Sequence, residues 1–213
     1  RDLPSTSRRQ RQMCIRDSLM THTSGLPPYA PVSELQEKYG SPNPKGLMEY
    51  ISTCKRESKP QTKFQYSCLN YITLQHIIET ITGQSLRDFA KENIFDILGM
   101  QYTDYLPTIQ QQDGKWINTV ACPWMDRIAP TEKQKDGSVL CGQVHDPLAR
   151  ILNGGISGNA GIFSNANDIG ILAAALLNGG EYNGRRILSP LGVKTMCTVP
   201  RELTAFGRTP GWD

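Results

Sequence analysis

The chain has 213 residues, 38% of them apolar and 20% charged, with 19 glycines and 14 prolines. That is enough for one good-sized domain with a real core, and no apolar run reaches membrane-spanning length, the longest being Ile169 to Leu177 with Gly170 inside it. The formal net charge of +3 is carried by residues 1–18, where five arginines face two aspartates; the other 18 basic and 18 acidic side chains cancel, which argues against a nucleic-acid footprint on the folded part.

The opening segment, RDLPSTSRRQRQMCIRDS, has no helical or strand periodicity and none of the apolar core of a signal peptide. Its RRQRQMCIRDS stretch resembles translated adapter sequence. Residues 1–18 are therefore expected to be a non-native or disordered segment, and 19–213 the domain. Leu19-Met20 followed by THTSGLPP (21–28) reads as the end of a helix, with Gly25 as left-handed cap and prolines preventing continuation. Asn43-Pro44 is a helix start, with Leu47, Met48, Ile51 and Cys54 as the apolar stripe. A clearer helix runs from about Leu69 to Thr82, with Leu74, Ile77, Ile78 and Ile81 at i, i+3, i+4, i+7 and Gly83 closing it.

Ser85-x-x-Asp88 resembles a capping box opening the next helix, with Leu86, Phe89 and Ala90 inward. Residues 101–145 are rich in turn residues, and Lys135-Asp136-Gly137-Ser138 is placed to close a hairpin. Ser164 is expected to cap a helix from Asn165 to Asn178, ended by Gly179-Gly180. The six cysteines (14, 54, 68, 122, 141 and 197) contain no C-x-x-C and no metal-ligand spacing with the three histidines, so they read as free thiols.

Two places carry possible chemistry. Ser52-Thr53-Cys54-Lys55 is an S-x-x-K, the pattern in which a serine attacks a carbonyl and a lysine one helical turn on takes its proton. A working serine of this kind sits at a helix N-terminus, where free N–H groups and the dipole stabilise developing negative charge. Ser52 falls in the last turn of its predicted helix, and Lys55 lies in a solvated cationic run with Arg56, Lys59 and Lys63, so the match reads as a decoy. Tyr66 precedes the N-terminus of the best helix, whose dipole favours a phenolate; the bland alternative is an aromatic anchoring a loop. Cys68 paired with His76 is a poor nucleophile couple, since eight residues of helix separate them by roughly 12 Å.

LMTHTSGLP (19–27), FQYSCLNYITLQHIIETITGQSL (64–86), IFDILGMQYTDY (94–105), IAPTE (128–132), GQVHD (142–146), GGISGNAGIFSNANDIG (154–170) and LLNGGEYNGRRILSP (176–190) follow one another along the chain. Taken in this order, these blocks resemble the serine hydrolases related to β-lactamases and penicillin-binding proteins, especially the class C β-lactamase, D-alanyl-D-alanine carboxypeptidase or esterase branch. The resemblance implies that Tyr66 is the catalytic tyrosine assisting proton transfer. It places Cys68 where the family has the Asn, or Asp in some branches, that hydrogen-bonds substrate or the lysine. A thiol is a weak partner for that role. Asn159 stands where some relatives have His in a Gly-His-Ala-Gly loop, and His22 reads as a brace for its loop. In the family the S-x-x-K lies upstream of the His-Thr-Ser-Gly block and a Lys-Thr-Gly or His-Thr-Gly strand motif follows a segment like Thr209 to Asp213, so both are expected to fall outside this chain.

The implied fold is α+β, a β-lactamase/transpeptidase-like fold, incomplete, with mostly the helical region and a small part of the antiparallel sheet. The implied function is acyl-enzyme hydrolysis of an amide or ester (β-lactam, peptidoglycan peptide or simple ester), with this fragment inactive. The alternative is a non-catalytic homologue that binds cell-wall peptides or a protein partner. No metal and no cofactor are implied, and the partner is a small-molecule or peptide substrate rather than nucleic acid. A periplasmic or extracellular location follows from the family only.

Overall fold

A computed structural model of the protein describes residues 15–212, and the expectations for residues 1–14 lie outside these. Residues 15–18, expected to fall outside the domain, form one helix (α1, 15–20) with Leu19 and Met20, and Ser18 is buried. The helix ends where His22 takes the left-handed conformation (φ 55°). There the His22 N–H donates to the Leu19 carbonyl (3.3 Å) and the Thr23 N–H to the Ser18 carbonyl (2.8 Å). The left-handed stop is thus His22, not Gly25. Gly25 (φ +78°) serves a close approach instead: a Cβ there would lie 2.1 Å from the Ser58 carbonyl oxygen, and its own carbonyl accepts the Glu57 N–H at 2.8 Å.

Helix α2 spans Val32–Tyr39 and α3 spans Pro44–Thr53, with proline in its first turn. The Asn43 side chain accepts the Gly46 N–H at 2.8 Å, the cap that the Asn-Pro pair predicts. Leu47 and Ile51 are buried, with Met48 and Cys54 packed against them. Helix α4 runs Cys68–Thr82 and stops at Gly83 (φ 70°). Its buried face differs from the expected 74-77-78-81 stripe. Leu69, Asn70, Ile72 and Gln75 are buried, whereas Ile81 is 78% exposed. The helix carries apolar residues on more than one face, so periodicity alone does not select the one that packs inward.

Helix α5 (Leu86–Ala90) is capped by Ser85, whose hydroxyl accepts the Asp88 N–H at 3.1 Å and donates to the Asp88 carboxylate at 2.7 Å. The chain continues through a π turn, Lys91–Phe95, into α6 (Asp96–Leu98) and stops at Gly99. Short strands follow: β1 (Asp104–Tyr105), β2 (Thr108–Gln110), β3 (Trp116–Asn118), β4 (Glu132–Lys133), β5 (Val139–Leu140), β6 (Ile162–Phe163), β7 (Glu181–Tyr182) and β8 (Arg185–Arg186). Among the described residues they form four two-stranded antiparallel sheets, β1 with β6, β2 with β3, β4 with β5, and β7 with β8. The β4–β5 turn is the hairpin expected at Lys135 to Ser138. Helix α7 (Ala166–Leu177) is capped by the Asn165 side chain rather than Ser164, whose hydroxyl pairs with Thr103. Helix α8 spans Pro190–Met196.

Two apolar clusters hold these pieces. The first joins Leu19 and Leu26 to Leu35, Leu47, Ile51, Leu69, Ile72, Leu148 and Leu152, so α4 lies against the 19–27 loop, α3 and the 148–152 turn. The second joins Leu86, Phe95, Leu98 and Tyr105 to Ala175 of α7. Two polar ties reinforce it. Arg87 grips the Asp104 carboxylate through two nitrogens, at 2.9 and 2.7 Å. The buried Asp168 accepts the Tyr102 N–H (2.7 Å) and the Thr103 hydroxyl (2.9 Å).

Leu69 has no exposed surface and lies at the centre of the first cluster. Leu69→Ala is expected to lower unfolding free energy by about 2–5 kcal/mol, the range for emptying a filled core site. Urea titration monitored by far-ultraviolet circular dichroism measures it; a loss under ~1 kcal/mol contradicts the packing described.

Candidate functional site

The 19–27 loop and the start of α4 are sewn together through one imidazole. His22 is buried, and its Nδ1 accepts the Ser67 backbone N–H at 3.1 Å and pairs with the Asn70 amide nitrogen at 3.0 Å. Both contacts require Nδ1 as acceptor, which puts the ring proton on Nε2. Asn70 in turn takes the Ser24 hydroxyl on its amide oxygen. The His22 carbonyl accepts the Gln65 N–H (2.9 Å), the Thr23 carbonyl the Gln61 N–H (2.7 Å), and the Pro28 carbonyl the Cys68 N–H (3.0 Å). Tyr71 closes the network by donating to the Met20 carbonyl at 3.1 Å. Thr, His, Ser and Gly of the His-Thr-Ser-Gly block therefore position the residues just ahead of α4.

Tyr66 is the residue so positioned. It stands two places before α4, and its ring packs on the His22 ring, with centroids 4.3 Å apart and planes 31° apart. The side chain is nevertheless 55% exposed. The Arg208 guanidinium lies over the same ring, 5.9 Å from its centroid. The Tyr66 ring thus lies between the His22 ring and the Arg208 guanidinium, just ahead of the N-terminus of α4. Arg208 carries no sequence signal; it comes to Tyr66 only through the path of residues 197–212.

Cys68 opens α4 and faces a polar cluster that the sequence does not single out. Asn159 lies beside its thiol, and burial, then the Asp146 charge, push its pKa above the ordinary thiol value. Asp146 accepts from the Asn159 amide (3.3 Å), from the Tyr29 hydroxyl (3.3 Å) and from the Ala149 N–H (2.9 Å). Burial and the Asp146 charge raise the Tyr29 phenol to about 12, so it remains a donor at neutral pH. Asn159 also accepts the Ser157 hydroxyl at 2.7 Å, and Ser157 takes the Asn153 amide at 2.8 Å. The loop with Asn159 is thus fixed in front of Cys68, and a carboxamide stands beside the thiol. In the sequence, Asp146 and Asn159 stand out only as members of the GQVHD and Gly-Asn-Ala-Gly blocks, and no spacing links them to Cys68.

Ser52 is not assembled with these groups as a nucleophile. It is exposed near the end of α3, its hydroxyl donating to the Glu49 carbonyl at 2.8 Å. Lys55 lies beyond the helix end and is exposed. His76 is exposed on α4, well along the helix from Cys68. Among the described residues no group of three His, Cys, Asp or Glu is placed to hold a metal, and no helix is long and apolar enough to cross a membrane.

The family model described as Beta-lactamase matches residues 3–213, and the chain belongs to this family. A protein of Escherichia coli strain K12, provisionally named D-alanyl-D-alanine carboxypeptidase, is 31% identical over 225 residues, covering 99% of this chain and 49% of that protein. The chain spans about half the length of the curated relatives it matches. Among solved structures it is similar in fold to the D-amino acid amidase of Ochrobactrum anthropi SV3 (TM-score 0.57, 24% identity, 92% of this chain and 49% of that one). The D-stereospecific amidohydrolase of Streptomyces sp. gives a TM-score of 0.57 at 18% identity, over 87% and 51% of the two chains. The penicillin binding protein of Bacillus halodurans gives 0.51 at 18% identity, over 85% and 49%. The β-lactamase-like fold expected from the sequence is therefore the fold of this chain.

Replacing His22 tests the stitch directly. His22→Ala removes the acceptor of the buried Ser67 N–H and is expected to cost about 1–3 kcal/mol of stability, the penalty of stranding a buried donor. His22→Asn, which tolerates a left-handed backbone and offers an oxygen acceptor, is expected to lose less. Thermal and urea unfolding of the two variants rank them, and equal losses would show that the ring's bulk rather than its Nδ1 matters.

Proposed function

We propose that the chain carries the proton-transfer tyrosine and one wall of the substrate site of a serine hydrolase that works through an acyl-enzyme on an amide or ester. The observation that carries this reading is the setting of Tyr66: exposed, directly ahead of α4, backed by the His22 ring and overlain by Arg208. In this role the Tyr66 hydroxyl takes the proton of an attacking serine and returns it to the leaving group, which divides one difficult step into two easier ones. The serine and its lysine partner would come from an S-x-x-K upstream of the His-Thr-Ser-Gly block in a longer protein. The names of the relatives, carboxypeptidase and amidase, favour an amide with a D-residue over a simple ester.

Cys68 is proposed as a substrate-facing residue in that site. Its thiol donates weakly, and Asn159, its neighbour, brings the carboxamide that the thiol lacks. The same residue favours a second reading, a non-catalytic homologue that binds cell-wall peptides or a protein partner: a half-buried free thiol is a weak donor to a substrate. The sequence ahead of Leu19 in the longer gene separates the two, since an S-x-x-K there supports the enzyme.

In that longer protein, Tyr66→Phe keeps the ring that packs on His22 and removes only the hydroxyl. Turnover of a D-alanyl-D-alanine peptide is expected to fall about 10²–10⁴-fold, the size of a general acid–base contribution, with the unfolding midpoint near wild type. Turnover within about twofold of wild type would make Tyr66 a loop anchor.

The chain of 213 residues itself is expected to form no acyl-enzyme at Ser52, whose hydroxyl is exposed near a helix C-terminal end. Incubation with a fluorescent penicillin or a fluorophosphonate, followed by mass-spectrometric mapping, reads this out. A stoichiometric adduct on Ser52 would overturn the decoy assignment.

A further inference from the structure

The segment between α6 and α7 lines a half-open cavity of about 590 Å³ that the acyl-transfer reading does not use. This volume is in the range of small-molecule sites. Tyr102, Trp124 and Phe163 supply aromatic wall, Gln143 and Asp146 supply polar groups, and Arg127 supplies a cation. The cavity also reaches Ala160 and Gly161, the residues after Asn159, so it borders the Cys68 side of the site described above.

The two charges on this wall are in different states. The Asp146 carboxylate already accepts three hydrogen bonds, from Ala149, Asn159 and Tyr29, and is committed to holding the 146–159 region. Arg127 is held by stacking: its guanidinium carbon lies 5.2 Å from the Tyr102 ring centroid. Among the described residues it forms no ion pair and no hydrogen bond through its side chain. Stacking fixes the plane of a guanidinium through its face and leaves its in-plane N–H groups for another partner. Two parallel N–H groups match a carboxylate, and the aromatic side chains beside them offer surface to an apolar body.

We propose that this cavity binds an organic carboxylate with an apolar body, the carboxylate on Arg127 and the body against Trp124 and Phe163. An N-acylated amino acid with a free carboxyl end has this chemistry, whether it arrives as a free acid or as the end of a peptide. The proposal concerns binding alone, so its failure and the failure of the Tyr66 reading are separately visible.

The test uses the chain as it stands, with N-acetylphenylalanine of either hand, its neutral amide, and phenylalaninamide, followed by calorimetry and tryptophan fluorescence. The acid is expected to bind at least about tenfold more tightly than the neutral amide, the effect of one charge-assisted pair. Arg127→Gln is expected to erase that difference with an unchanged thermal midpoint, because Arg127 is exposed. Arg127→Lys, which keeps charge without the planar fork, is expected to retain part of it. Equal affinity for acid and neutral amide, no binding of either at millimolar concentration, or a preference that survives Arg127→Gln would overturn the proposal. So would tightest binding of phenylalaninamide, which would transfer recognition to Asp146.

Discussion

The structure depends on a buried imidazole in a strained backbone conformation. His22 ends α1 in the left-handed region, which costs a residue with a Cβ about 1 kcal/mol or more. The cost is offset because the conformation aims Nδ1 at the Ser67 N–H, a buried donor that would otherwise lack a partner. The same turn brings the carbonyls of residues 22 and 23 to the 61–65 loop. Removing the constraint would free the segment that carries Tyr66, so a buried packing residue determines where an exposed aromatic one stands.

From that point the polar interior forms a continuous chain. Asn70 links His22 to Ser24, while Gln75, further along α4, holds the Asn153 amide and the Gly158 N–H. Helix α4 therefore fixes the site from two directions: its first turn holds the tyrosine loop, and its middle holds the loop bearing Asn159. The close contact at Gly158, where a Cβ would lie 2.1 Å from the Tyr71 carbonyl oxygen, shows how tightly that loop seats on the helix. Buried polar groups of this kind bring little net stability but specify one arrangement, because every alternative strands a donor or an acceptor.

Family membership gives these contacts a context without fixing their chemistry. The chain covers about half of each relative. What this half contributes is a rigid frame around Tyr66 and Cys68. A carboxamide from another loop lies beside the Cys68 thiol, a meeting visible only when both loops are seen together.

The sequence by itself determined the local events. Asn43-Pro44 starts α3, Ser85 caps α5, Gly83 stops α4, and Gly137 turns the β4–β5 hairpin, because each depends on the conformational preferences and side-chain reach of a few neighbouring residues. The ordered blocks likewise made the fold legible, and with it the prominence of Tyr66. Tertiary structure decided which face of α4 is buried, since Leu69 and Ile72 meet the first core while Ile77 and Ile81 do not. It decided that His22 rather than Gly25 bears the left-handed turn, because only there does the backbone strain gain a buried hydrogen bond 45 residues away in sequence. The meetings of Arg208 with Tyr66, of Asp146 and Asn159 with Cys68, and of Arg127 with Tyr102 are long-range or loop-borne. They follow from how the clusters pack, and no periodicity or spacing along the chain encodes them.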